Sequence, residues 1–115
     1  MTNKNNRKFL IKNQIYWENR FKFIYLMKKY CNKTQTFEEF DELFTNAYYE
    51  TRREVSKIFK NTRLIEKFEL KEIETYYTSA FVGIFRILDE IDDEIADIKE
   101  LDDYIKCYLE KIEKK

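Results

Sequence analysis

TFEEFDELFTNAYYETRREVSKIFK, residues 36–60, decides the fold. It opens with Thr36 and, three residues on, Glu39: a capping box, in which the threonine oxygen takes the third helical amide and the glutamate reaches back to the cap amide. Behind that cap Phe37, Phe40, Phe44, Ala47, Thr51, Val55 and Ile58 recur in steps of three and four, so one face of a helix running to about Lys60 is apolar. The whole chain holds no proline and one glycine, Gly83. With so few breakers, helix is the expectation along most of its length.

Upstream, Asn6 to Cys31 reads as a first helix with Leu10, Trp17, Phe21, Ile24 and Cys31 on its core side, ended by Asn32-Lys33-Thr34-Gln35. Downstream, Asn61-Thr62 caps a short turn, Arg63 to Phe68, ahead of a third helix faced by Leu70, Ile73, Tyr77, Ala80, Phe81, Ile84, Leu88 and Ile91. The register slips between Ile98 and Leu101, where a second cap pattern, Asp97-Ile98-Lys99-Glu100, opens a fourth helix along Leu101, Ile105, Tyr108 and Ile112. The expected architecture is all-α, an antiparallel four-helix bundle in a single helical domain, residues 1–115. The competing architecture has three helices, the last running unbroken from Leu70 to about Lys111. No internal repeat is evident.

At 115 residues the chain fits one domain with one core. Its 43% hydrophobic and 38% charged residues match neither a disordered nor a membrane protein. The longest apolar run, Phe23 to Met27, is far below the ~18 residues of a membrane span, and the N-terminus lacks the apolar stretch of a signal peptide. A cytoplasmic protein is expected, with Cys31 and Cys107 as free buried thiols. Lys, Asn, Ile, Phe and Tyr dominate the composition; AT-rich codons favour that group, which points to a low-GC bacterium or its phage.

With no histidine, Ser-His and Cys-His nucleophiles and Glu-x-x-His metal pairs are excluded, and no glycine-rich phosphate loop occurs. Glu69-x-x-Glu72 followed by Glu90-x-x-Asp93 resembles in spacing the all-helical nucleotide pyrophosphohydrolases, whose carboxylates on facing helices hold Mg²⁺ at a triphosphate. Glu39-x-x-Glu42, Glu94-x-x-Asp97 and Glu100-x-x-Asp103 repeat the pattern, so it is assigned to solvated helix surface. No catalytic residue, metal ligand or cofactor is expected.

Binding remains, and charge is the guide. Residues 1–34 carry nine Lys/Arg and one acid, whereas Asp89 to Asp103 carry nine acids and one lysine, in a chain of zero formal net charge. On a helical wheel Lys8, Lys12, Lys22 and Lys29 form a stripe opposite the expected core face, suited to sequence-indifferent contact with nucleic-acid phosphates. Phe9, Tyr16, Phe23 and Tyr30 repeat every seven residues beside the core stripe and are candidates for a protein interface, a homodimer included. Tyr48-Tyr49 and Tyr76-Tyr77 suit an interface as well. Ala80 and Gly83 permit close helix packing. Asp89, Glu90, Asp92, Asp93, Glu94, Asp97, Glu100 and Asp103 form an anionic surface suited to a positively charged groove on a partner. The expected function is therefore non-catalytic: a regulator acting through protein–protein contacts, including an inhibitor from a phage or mobile element aimed at a nucleic-acid-handling complex. The alternative is a helical accessory subunit that binds nucleic acid along the lysine stripe, and the remote alternative is a Mg-dependent nucleotide pyrophosphohydrolase using the carboxylate pairs above.

Overall fold

The structure, a computed structural model, describes the backbone of residues 4–73 and 76–113 and the side chains of residues 6–73 and 79–112. Among the described residues the chain is all-α, with α1 (Lys4–Glu18), α2 (Arg20–Cys31), α3 (Phe37–Phe59), α4 (Thr62–Lys67), α5 (Tyr76–Asp92) and α6 (Ile98–Glu113), and no strand. The four expected helices are six. α5 and α6 are separate, so the long C-terminal helix does not form. No helix there is long and apolar enough to cross a membrane.

The first expected helix is split at Asn19. That residue stands at φ −95°, ψ 7°, and its side-chain amide donates to the Ile15 carbonyl at 2.8 Å. A short amide side chain thus competes for an acceptor in the last turn of α1 and ends it. The split re-phases the apolar face. Ile11, Ile15 and Tyr16 of α1 and Phe23, Ile24 and Met27 of α2 are buried, while Leu10 and Phe21, expected in the core, are 36% and 67% exposed.

α2–α3 and α5–α6 are two αα-hairpins joined by links of the same form. Lys33 (φ 60°) and Glu94 (φ 62°) take the left-handed position after their helices. The next amide reaches back five residues in both, Thr34 to Lys29 at 3.0 Å and Ile95 to Glu90 at 2.7 Å, the Schellman stop usually made by glycine. Three residues after the left-handed residue comes the cap. Thr36 and Glu39 make the reciprocal capping box, and the Asp97 carboxylate accepts from the Glu100 amide at 3.0 Å. Left-handed residue, cap, apolar residue and glutamate thus keep one spacing in both links.

An aromatic core joins the hairpins. Phe23 stacks on Phe81 with centroids 4.5 Å apart and meets Phe44 edge-on at 5.1 Å, and Tyr48 stacks on Phe85 at 4.0 Å. Tyr30 on Phe40 (4.7 Å), Phe23 on Phe44 and Tyr16 against Tyr48 (5.5 Å) run in opposite chain directions, which makes α3 antiparallel to α1 and α2. On α5, Gly83 admits Tyr104 of α6 so closely that a Cβ would sit 2.8 Å from its Cζ, the close packing expected at this glycine.

The third helix does not begin at Leu70. Residues 68–73 are non-helical, and Glu74 and Thr75 lie outside the described residues. Side chains of α1 hold this segment instead. Arg7 donates to the carbonyls of Ile65 (2.7 Å), Glu66 (3.0 Å) and Phe68 (2.6 Å). Gln14, 2% exposed, donates to the Glu69 carbonyl at 3.0 Å and accepts from the Lys71 amide at 2.7 Å, as a neighbouring strand would. Backbone groups satisfied from outside have no need of a helix.

Candidate functional site

The antiparallel pairing of α3 and α5 sets the site, because it brings both hairpin links to one end of the molecule. Tyr30, in the last turn of α2, donates to Asp102 of α6 at 2.6 Å. Across the other seam, Asp92 at the end of α5 faces Asp41 in the second turn of α3. The sequence-marked acids Asp89 to Asp103 are thereby joined by Glu38, Glu39, Asp41 and Glu42, which charge counting along the chain had not included.

Asp89, Asp92, Asp93, Glu94, Asp97, Glu100 and Asp103 are exposed. Glu90 is half-buried and pairs with Arg86 one turn earlier at 3.5 Å. Among the described residues no cation pairs with Asp92, Asp93 or Glu94. Burial raises the pKa of the Asp41 carboxyl above the usual range, Asp92 adds to that rise, and a hydrogen bond from the Thr45 hydroxyl at 3.2 Å opposes it. A hollow of about 240 Å³ between α3 and α5 is lined by Asp41, Asp89, Asp92, Thr45 and the rings of Tyr49 and Phe85. At the tip of the α5–α6 link Ile95 is 73% and Ile98 43% exposed, so the acidic end carries an apolar point of contact.

The lysine stripe is not one surface. Asn19 divides it between two helices, Lys8 and Lys12 are half-buried, and the Lys8 ammonium lies 5.6 Å from the Phe59 ring centroid. Lys22 is exposed, and Lys29 lies 5.3 Å from the Tyr25 ring. The aromatic heptad is not an outer face either. Tyr16 and Phe23 are fully buried, packed on Tyr48 and between Phe44 and Phe81 respectively, and half-buried Tyr30 is stacked on Phe40. Only Phe9, 57% exposed, is open to a partner. Tyr48 is core and Tyr49 exposed, whereas the side chains of Tyr76 and Tyr77 lie outside the described residues.

Sequence reasoning missed the outward rings Phe21 and Tyr25, 67% and 60% exposed. The available signal was their company, since Lys22, Lys28 and Lys29 share that side of the helix. Cys31 is half-buried and Cys107 exposed, a correction to two buried thiols; burial, and then Asp102, raise the Cys31 thiol pKa. Glu69 and Glu72 lie in the non-helical segment and Asp93 beyond the end of α5, so two carboxylate pairs on facing helices are not formed. Among the described residues no group of three or more Cys, Asp or Glu side chains is placed to hold a metal. Comparison with family models, with curated proteins and with solved structures finds no match to this chain.

Proposed function

We propose that this protein is a small non-catalytic regulator of the cytoplasm that docks its acidic end onto a positively charged surface of another protein. The observation that carries the reading is that Asp41 of the first hairpin faces Asp92 of the second, at the end where the acid-rich α5–α6 link exposes Ile95. Like charges crowded at one end destabilise the folded chain, and their use is in steering association with a cationic partner. Ile95 and Ile98 supply the apolar burial that charge alone does not. A surface so charged competes with a nucleic-acid backbone for a basic groove, which is how an inhibitor of a nucleic-acid-handling machine from a phage or mobile element would act. In this reading the two hairpins pack as an antiparallel four-helix bundle, a rigid support for the docking end.

The test is affinity capture from a low-GC bacterial lysate with the wild type and with Asp92→Lys, Asp93→Lys, Ile95→Ser combined. All three side chains are exposed, so the variant keeps its fold, which circular dichroism checks. Proteins retained by the wild type should elute with heparin and be lost by the variant. Equal retention by both sinks the reading.

A further inference from the structure

The outer face of α2 is aromatic and basic at once. Phe21 and Tyr25, one helical turn apart, are 67% and 60% exposed, and Lys22, Lys28 and Lys29 project on either side of them. The helix holds no acid along its whole length. Toward α1 the face continues into Trp17 through Arg20, whose guanidinium lies 3.9 Å from the Trp17 ring and 4.4 Å from the Phe21 ring centroid. These rings therefore already hold a flat cation against their faces.

Rings and an arginine suit a protein partner as well, but the three lysines beside them, a residue depleted in protein interfaces, favour a polyanion. A single nucleic-acid strand fits it well. Every base has a π-face to lay on an exposed ring, and its phosphates need point charges alongside. We propose that the outer face of α2 binds single-stranded nucleic acid without sequence preference, with bases stacked on Phe21 and Tyr25 and phosphates met by Lys22, Lys28 and Lys29. The site lies on the outer side of α2, with Lys28 and Lys29 in the last turn toward the acidic end, and it does not rest on the role of those acids. A chain with both would hold a strand on one face while docking on the protein that handles it.

The chain's one tryptophan sits at the edge of this face and reports on it. The experiment titrates an oligothymidylate and an oligouridylate of about 12 nucleotides, reading Trp17 fluorescence and, separately, electrophoretic mobility. Both should bind saturably, and log affinity should fall with log salt at a slope of about −2 to −3, the value for three to four phosphate contacts on a single strand. Phe21→Ala and Tyr25→Ala each remove an exposed ring and leave no core cavity. Each should weaken binding roughly 5- to 100-fold, while Ile95→Ser should leave it unchanged. The proposal is overturned if neither oligonucleotide binds, or if the double ring variant binds as the wild type does. It is equally overturned if sedimentation shows the two rings hold a dimer that oligonucleotide does not displace, or if anionic vesicles quench Trp17 and oligonucleotides do not.

Discussion

The Tyr30 hydroxyl donates to Asp102 Oδ1 at 2.6 Å, tying the last turn of α2 to the second turn of α6. The two residues are far apart in the chain, and the bond joins the two hairpins at the end where the acids gather. Hydrogen bonds to a charged acceptor are worth more than neutral ones. Tyr30→Phe keeps the ring on Phe40 and should cost about 1–2 kcal/mol. Thermal melting of the single and of Tyr30→Phe with Asp102→Asn measures it, and additive losses in the pair would show that the bond contributes nothing of its own.

Two tyrosines make stability depend on alkaline pH. Burial, and then the neighbouring Tyr48, push the Tyr16 pKa up from 10.0; burial, and then the hydrogen bond to Asp102, do the same for Tyr30. A folded-state pKa above the unfolded value gives a contribution fully present below about pH 10 and lost as pH rises further, by one bound proton per tyrosine. Melting temperature followed from about pH 9 to 11 should fall steeply in the wild type. Tyr16→Phe should flatten that fall, since the unfolded chain then has one fewer proton to lose.

Gln14→Ala should loosen residues 68–73 while sparing the hairpins. The substitution leaves the Glu69 carbonyl and the Lys71 amide without their partner, a loss of roughly 1–3 kcal/mol. Hydrogen exchange at the Lys71 amide should accelerate far more than exchange within α3. Uniform acceleration would mean that the segment is not a separate unit.

Lys33→Gly should stabilise the protein. At φ 60° a side chain costs roughly 1–2 kcal/mol that glycine avoids, partly offset by glycine's greater freedom when unfolded. A gain of up to about 1 kcal/mol is expected, read as a melting midpoint a few degrees higher. A fall would show that the Lys33 side chain makes a contribution larger than the strain.

Gly83→Ala should destabilise despite alanine's better helix propensity, because the new methyl meets the Tyr104 ring. In a Tyr104→Ala background the same change should stabilise. The reversal of sign, followed by chemical denaturation, is the diagnostic.

Both helix starts that carry a cap pattern stand where residues 36–39 and 97–100 placed them, and the break between α5 and α6 stands where the apolar register slips. The acidic surface was legible too, as a run of charge. The first helix was not, because the series beginning at Leu10 and at Phe9 are equally apolar and adjacent on the wheel. Nothing local chooses between them. The start of α5 was missed for a different reason: Leu70 and Ile73 keep helical spacing, but Arg7 and Gln14 claim their neighbours' backbone from α1.

What the sequence by itself determined is whatever depends on neighbours within a turn or two: helix, caps, the slip in register, the sign of charge along each segment. What only the tertiary structure decided is which faces look inward and which segments share an end. Packing Phe23 between Phe44 and Phe81 turned Phe21 and Tyr25 outward, and pairing α3 against α5 set Glu38 to Glu42 beside Asp89 to Asp103. Capping is a bond between residues three apart and can be read along a chain. A choice between two apolar stripes is made by the partner that covers one of them, and that partner lies far off in sequence.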